Sequence, residues 1–565
     1  MSRRAPRTRP DSRRAPRPPA APSAARPRRP LPVWAIPLGL AAAHWLLALL
    51  ALRPAPHPAG DNAVYLALAR GLLSWRGYHD LFDPAAPPHV QFPPGYPAMV
   101  AAALAAGVRP WVGLKVMTVL FSAAAVALSW AWVRRRHGRA AAFAVAALLA
   151  VSPGGLALSH IELSDVPFWA LTMAALWGWE RLGKGRTRRL LLASAATAAA
   201  ALVRSAGLPL LLAAALWLAW RRRWRQLGIY LLIAVPPAAA WAVWTRAQHG
   251  YATLIASANN YIPTAGSLGI SGLLGRVWTN LGIYGGKIVP RLLWDASSPA
   301  LVALGAILVA AAISGWALRL RRPRVAEAML PLYVGMLLVW PPEWAGERLL
   351  LPILPLLLAY AGVAVGWLAS WMGVRAARPV LAAAAAVVVL AAIPRVVDAV
   401  HAGSVCRTLH RGGDRYACIS DEWRDFFAIA EAAGRDLPPG AVAISRKPAF
   451  FWLASEVKGR PFPFAREPAA FFAAAREIGA RYVLIDHLDE LSARYLTPIV
   501  IQRPHAFCLV YAFGSERATL LGIRPGAAEL ADARADPGAA EVNVGFQRCG
   551  PEYFRGGRIP PLSPE

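Results

Sequence analysis

The stretch LPVWAIPLGLAAAHWLLALLALRPAPHPAGDNAVYLALAR, residues 31–70, decides how this chain is read. From Leu31 to Leu52 it is an apolar run of roughly twenty residues, enough to cross a bilayer core of about 30 Å at 1.5 Å per residue. The basic residues before it imitate a signal peptide, but a run of this length reads as a retained first transmembrane helix. A proline-rich break follows. It ends at Gly60 and Asp61, which open a second helical stretch holding Tyr65 and Arg70.

Working outward, the same alternation of apolar runs and short breaks repeats. Candidate spans fall at about 31–52, 111–133, 140–157, 162–180, 190–203, 206–220, 227–246, 300–318, 326–341, 348–371 and 379–396, about eleven in all. Basic groups at 134–139, 181–189, 221–225, 319–324 and 375–378 lie at every second junction. The positive-inside rule then places the N-terminus in the cytoplasm and everything after 397 outside a bacterial-type cytoplasmic membrane. The composition agrees, because 57% of the 565 residues are hydrophobic and only 16% are charged, against about a quarter in soluble chains.

The formal charge of +30 would ordinarily point to nucleic acid. Its distribution excludes that partner. Residues 1–30 hold ten Arg, eight Pro and one acid, a tail that cannot bury a core and is expected to be disordered and cytoplasmic. The other basic residues before 397 sit mostly in the cytoplasmic junctions. Acids are as informative: of the ten between 31 and 396, Asp61, Asp80, Asp83, Glu162, Asp165, Asp295, Glu343 and Glu347 map to the external side, and only Glu180 and Glu327 to the cytoplasmic side. A pump or transporter would set ionisable groups near the midplane.

The expected architecture is therefore a polytopic α-helical membrane domain, residues 31–396, followed by an extracytoplasmic α/β domain, residues 397–565. Two external loops, 53–110 and 247–299, carry amphipathic, aromatic-rich stretches suited to the outer interface. In the C-terminal domain DEWRDFFAIAEAAGRDL and EPAAFFAAAREIGA read as helices, and AVAISR and RYVLID as strands, with an irregular end and a loosely ordered last thirty residues. All four cysteines, Cys406, Cys418, Cys508 and Cys549, lie in this domain. That confinement points to two disulfides in an oxidising compartment. Three pairings are open, and proximity favours Cys406 with Cys418 and Cys508 with Cys549.

Carboxylates are the first candidates for chemistry. Asp61 stands at the membrane surface, where a helix N-cap would also use an Asp. Glu162 and Asp165 in HIELSDVPF are three apart and share a helix face at its outer end, although Asp165 could equally cap a helix whose first turn holds Pro167. Cationic candidates are Arg204 in VRSAG, Lys287 and Arg291 in the second loop, and Arg348 in GERLLLP. Lys287 and Arg291 could instead anchor an interfacial helix by snorkelling. Arg204 lies between apolar runs, where a charge costs roughly 2.5–3.5 kcal/mol at a helix centre, so it requires a partner or a turn.

Taken in order, the acid opening the first external loop, YLALARGLL with Tyr65, GY with Tyr78, PPGYP with Pro93, Pro94 and Tyr96, the SD dipeptide opening a later span, and ERLLLPILP together resemble the integral-membrane glycosyltransferases of the GT-C type. The nearest pattern is that of family 39, which includes protein O-mannosyltransferases and lipid A aminoarabinose transferases. The resemblance covers residues 31 to about 396. It implies hexosyl or pentosyl transfer from a polyprenyl-phosphate sugar donor to an extracytoplasmic acceptor, whether glycan, lipid or protein. By its pattern Asp61 is the acid of the first loop and Asp165 the second acid. Where relatives often carry Lys or Arg before the PP of that loop, this chain has His89, Val90, Gln91 and Phe92, so a donor-phosphate contact there falls to His89 or Gln91.

The chemistry fits. An acceptor hydroxyl attacking an anomeric carbon needs a carboxylate base, and a departing lipid phosphate needs cations rather than a general acid. No cofactor is required, although a divalent cation is admissible near the acids. Outside the membrane domain, SRKP at 445–448 reads either as an anion or glycan contact or as a solvated strand end. HLDE at 487–490 has no metal spacing, and no nucleotide-binding or serine-hydrolase motif occurs. The rivals from other classes are a lipid or glycan transporter and a non-catalytic membrane scaffold.

Overall fold

The computed structural model describes residues 34–182, 187–247, 255–259, 262–296, 298–371, 377–512, 518–527 and 546–562. The tail expected to be disordered, residues 1–30, lies outside the described residues, as does part of the second loop.

Each apolar run of the first 411 residues is occupied by a helix, since a chain surrounded by lipid must satisfy its backbone hydrogen bonds internally. Among the described residues, five are long and apolar enough to cross a membrane: Val112–His137, Trp224–Arg246, Pro299–Arg319, Glu347–Trp371 and Ala385–Arg411. A sixth is reached if Arg139–Val151 and Pro153–Ser159, bent by 62° at Ser152, count as one crossing. Ala35–Ala51, Ser205–Trp220 and Val325–Val339 are shorter apolar helices of 10–17 residues. By length and composition, then, five or six helices among the described residues are long enough to cross, and the expected count of about eleven is not reached by that measure. Many of the expected boundaries fall near those of a helix, but several of those helices are too short to span by the same measure.

The crossing helices are not equivalent. In Glu347–Trp371 and Val112–His137 the apolar window is 67% and 56% buried against protein, whereas in Trp224–Arg246 and Ala385–Arg411 only 11% is. The first two form the centre of the bundle and the last two its exposed rim. Small residues set the close approaches, as packing in lipid requires: a Cβ at Gly315 would overlap the backbone of Tyr360, and one at Gly403 would meet that of Ala51 at 2.6 Å.

Acids segregate to the two ends of this bundle. The helix Asp165–Glu180 carries one at each end, about 22 Å apart by its rise per residue. At the Glu180 end, Arg136 pairs with Glu327 at 3.0 Å and reaches Glu180 at 4.0 Å, while Tyr360 donates to Glu327 at 2.9 Å. At the Asp165 end lie Asp61, Glu162 and their partners.

The C-terminal region builds a five-stranded mixed sheet in the order β4-β3-β5-β7-β6, from β3 (Val442–Ile444), β4 (Lys458–Arg460), β5 (Tyr482–Asp486), β6 (Phe507–Ala512) and β7 (Ala518–Ile523). The hairpin in the second loop supplies β1 (Ser257–Asn259) and β2 (Ile262–Ser267). Strands β4, β3 and β5 are parallel; β7 is antiparallel to both β5 and β6. Helices Asp421–Asp436 and Pro468–Ile478 fall where the amphipathic periodicity places them. Both disulfides take the pairing that proximity favours, Cys406–Cys418 and Cys508–Cys549. The end expected to be irregular contains the β6–β7 hairpin. Residues 546–562, expected to be loose, instead pack on it: the Leu509 amide donates to the Gln547 carbonyl at 2.8 Å, and Tyr553 and Phe554 are buried.

Candidate functional site

The first loop begins with prolines 54, 56 and 58 and turns at Gly60, whose φ of +110° is a conformation that side chains resist. Asp61 is the first residue of the helix Asp61–Leu73, and the capping position is Gly60. The carboxylate makes no cap bond. It pairs with Arg348 at 3.0 Å, both side chains being about one third exposed (34% and 33%). Arg348 sits in the short helix Glu347–Leu350, at the end of the most buried of the five candidate spans. Residues 287 apart in sequence are thus joined at one end of the membrane-spanning part.

Asp165 likewise opens its helix without capping it, and pairs with Arg204 at 2.9 Å. Arg204 also donates to the Ser164 hydroxyl at 3.1 Å, which lies 3.0 Å from the Tyr65 hydroxyl. The SD dipeptide therefore grips one guanidinium with both side chains. The turn that a charge between apolar runs requires is present as well: Arg204 is extended (φ −154°, ψ 135°), between the helix Thr187–Val203 and the 3-10 turn Ser205–Gly207. Tyr65 belongs to the Asp61 helix, so the two ion pairs lie on one connected hydrogen-bond frame.

These groups line one cavity of about 150 Å³, formed by Asp61, Tyr65, Gln91, Phe92, Pro93, Arg204 and Arg348 with an apolar wall of Val203, Met336, Leu337, Trp340, Trp344 and Leu349. A carboxylate, two guanidiniums and a neutral amide thus meet an apolar surface. The loop 91–96 is pressed into place from behind. A Cβ at Gly95 would meet the backbone of Leu202 at 2.7 Å, Tyr96 is fully buried edge-on against Tyr65 at 4.8 Å, and Pro94 caps the helix Gly95–Ala105. Tyr78 donates to the Phe92 carbonyl at 2.7 Å.

The remaining candidates lie elsewhere. His89 is buried outside the lining, with Nδ1 at 2.7 Å from Asp80 and Nε2 accepting from the Phe92 amide at 2.9 Å, so both ring nitrogens are occupied in shaping the loop. Glu162 is buried and pairs with Lys115 at 3.5 Å; it also accepts from the Asn62 side chain and the His57 amide, each at 3.3 Å. It braces the turn beside Asp61 rather than facing the cavity. Arg291 pairs with Glu347 at 3.0 Å, next in sequence to Arg348, and Lys287 is exposed on the same segment. Among the described residues no group of three or more His, Cys, Asp and Glu is arranged to hold a metal ion.

A second cavity of about 680 Å³ lies on the far side of the Asp61 turn, between the first loop, the bent helix pair, the helix ending at Arg411 and residues 417–423. Arg53, Lys115 and Arg395 are balanced there by Asp295 and Asp398, and His57 and His160 complete the polar lining. Burial and the nearby Lys115 and Arg348 hold the His57 imidazole down at about 4, so it is neutral near pH 7.

Sequence reasoning missed what the C-terminal region does here. Lys447, within the SRKP segment, is not a solvated strand end: its ammonium donates to the Ala59 carbonyl at 2.7 Å. Arg460 grips Asp83 with two hydrogen bonds, 2.7 and 3.1 Å, and the Gly459 amide donates to the Phe82 carbonyl at 2.8 Å. Nothing local in the sequence marks pairs about 380 positions apart.

Residues 91–244 match the family model described as dolichyl-phosphate-mannose-protein mannosyltransferase. Among solved structures, that of ArnT from Cupriavidus metallidurans in the apo state is similar with a TM-score of 0.52 and 14% identity, over 87% of this chain and 98% of that one. The oligosaccharyltransferase of Archaeoglobus fulgidus in complex with Zn and sulfate has a TM-score of 0.50 and 14% identity, over 84% of this chain and 72% of that one. AglB from Archaeoglobus fulgidus, in complex with an inhibitory peptide and a dolichol-phosphate, has a TM-score of 0.50 and 13% identity, over 86% and 74%. No curated protein sequence matches the chain. At such identities the likeness is one of fold, and with the partial family match it shows that this chain has the GT-C glycosyltransferase fold, resembling the members of family 39.

Proposed function

We propose that the protein is a membrane glycosyltransferase that moves a sugar from a polyprenyl-phosphate donor to an acceptor on the external face, with Asp61 as the acceptor-activating base. The observation that carries this reading is the single cavity in which the Asp61 carboxylate faces the guanidiniums of Arg348 and Arg204 beside an apolar wall. The wall suits the start of a prenyl chain, the two arginines suit its phosphate, and the carboxylate suits a hydroxyl. The orientation with the N-terminus in the cytoplasm, the extracytoplasmic C-terminal domain from about 397 and a topology of about eleven crossings belong to the same proposal.

In this mechanism the donor phosphate competes with Asp61 for Arg348, so donor binding releases the carboxylate. Asp61 then takes the proton of the acceptor hydroxyl as its oxygen attacks the anomeric carbon. The bond from that carbon to the phosphate oxygen breaks, and its electron pair leaves with the polyprenyl phosphate. Arg348 and Arg204 neutralise the charge that develops, which is where preorganised cations lower a barrier most. Asp165 acts on Arg204, aiming it together with Ser164. Gln91 adds a neutral donor at the cavity wall.

The test compares lipid extracts and envelope glycans, by mass spectrometry, from cells with the wild type, without the protein and with Asp61→Asn. Deletion and Asp61→Asn should both build up one polyprenyl-phosphate sugar and lose one glycan modification. If Asp61→Asn matches the wild type while deletion changes the profile, Asp61 is not the base.

A further inference from the structure

We infer that Lys447 is a positioning residue: carried by the C-terminal region, it fixes the turn that presents Asp61 to Arg348. The inference rests on the assignment of Asp61 as the base and adds a role for the C-terminal region that the fold likeness does not supply. It follows from how the turn is held. Glycine populates both signs of φ with ease, so Gly60 at +110° permits the turn without locking it. A change of φ and ψ at Gly60 would carry the Asp61 carboxylate off Arg348.

Three contacts oppose that change. The Asn62 side chain accepts from the Gly60 amide at 3.3 Å and donates to the His57 carbonyl at 2.9 Å, all within the turn. Glu162 braces the His57 amide and Asn62 from one side. From the other side Lys447 donates to the Ala59 carbonyl, and its alkyl chain lies over Gly60 so closely that a Cβ there would stand 3.1 Å from Cδ. Lys447 therefore both packs over Gly60 and holds the carbonyl that precedes it.

Its own position is fixed by its own region. The Lys447 amide donates to the Ser445 hydroxyl at 3.2 Å, Pro448 begins the helix Pro448–Ser455 directly after it, and Arg446 pairs with Asp489 at 2.9 Å. Burial, followed by the charge of Arg446, pushes the Lys447 ammonium down from its ordinary value, while Asp489, Asp61 and Asp486 pull the other way. An ammonium held in such a place is costly unless a fixed acceptor meets it. The Ala59 carbonyl is that acceptor. A surface lysine with no task would extend into water.

The test uses the full-length protein. Lys447→Met keeps the alkyl bulk and removes the donor; Lys447→Arg restores it. The Ala63 and Val64 amides, which both donate to the Gly60 carbonyl, report the turn by hydrogen exchange. Lys447→Met should speed their exchange by about tenfold or more and lose most of the glycan product in cells. Binding of undecaprenyl phosphate, which needs the arginines, should not weaken, and it should rise by up to about fivefold as Asp61 leaves Arg348. Lys447→Arg should recover both exchange protection and product. Arg460→Ala loosens the other tether and should leave exchange at Ala63 and Val64 unchanged. Wild-type exchange and product in Lys447→Met overturn the inference, and so does an equal loss of protection in Arg460→Ala, which would reduce Lys447 to general docking. Should Asp61→Asn retain full product, the base assignment fails instead, and the exchange data judge the turn by themselves.

Discussion

Replacing Arg348 or Asp61 one at a time should separate phosphate binding from catalysis, because the two residues are expected to compete. Each side chain is about one third exposed, so their ion pair is screened and worth only about 1 kcal/mol rather than the 3–5 kcal/mol lost on breaking a fully buried pair. Breaking it therefore costs little stability. It also frees Arg348. In Asp61→Asn the affinity for undecaprenyl phosphate should rise by roughly fivefold, which is that ~1 kcal/mol expressed as a ratio. In Arg348→Ala the phosphate loses a charge-assisted hydrogen bond of about 1.5–3 kcal/mol, so affinity should fall by roughly ten- to a hundredfold. Arg348→Lys keeps the charge without the planar fork and should fall between them. Turnover behaves differently: both Asp61→Asn and Arg348→Ala should lose product by about a hundredfold or more, one through the base and the other through the leaving group. Titration of undecaprenyl phosphate into the full-length protein in detergent, alongside glycan profiles from cells, measures both quantities. Weaker phosphate binding in Asp61→Asn, or unchanged binding in Arg348→Ala, would refute the competition and with it the placement of the donor phosphate.

Two further outcomes follow from the packing and from burial. Gly95→Ala forces a Cβ against the Leu202 and Val203 backbone at 2.7–2.8 Å, next to Arg204, so thermal unfolding should show a loss of about 1–3 kcal/mol together with weaker undecaprenyl phosphate binding; a wild-type melting curve would show that the loop 91–96 is not clamped there. Asp486, at the end of β5 and 1% exposed, is pushed up to about 6 by burial, with Oδ1 accepting from Ser492 and Leu488 and Oδ2 buried without a partner. A raised folded value means stability that is fully present below the ordinary value near 4 and is lost as pH rises through about 6. Asp486→Asn should accordingly be more stable than wild type at pH 7, by up to about 3 kcal/mol, with the advantage vanishing below pH 4. An advantage that does not change with pH would contradict this.

Much of the candidate site was legible in the sequence because it is lined by residues that are costly where they stand. Arg204 between two apolar runs had to find a partner or a turn, and it has both Asp165 and the break after Val203. Asp61 at the end of a proline-rich turn, Arg348 in ERLLLPILP and Gln91 before PP all reach one cavity. His89 could not be sorted from Gln91 by sequence, because only its burial and its bonds to Asp80 and the Phe92 amide take it out of the lining. Glu162 and Asp165 share a helix face by spacing, yet they serve different partners, Lys115 and Arg204.

By itself the sequence determined the class: apolar runs separated by basic junctions can satisfy their backbones only as helices in lipid, and amphipathic stretches in the C-terminal region fold as the helices and strands their periods demand. The pairing of the cysteines follows the same local logic, since each loop closes over a short separation. Tertiary structure alone decided which distant residues meet. Asp61 with Arg348, Lys447 with the Ala59 carbonyl and Arg460 with Asp83 join segments hundreds of residues apart. Hydropathy and periodicity describe how one segment faces its surroundings; they hold no term for which charged group another segment brings to the same point in space.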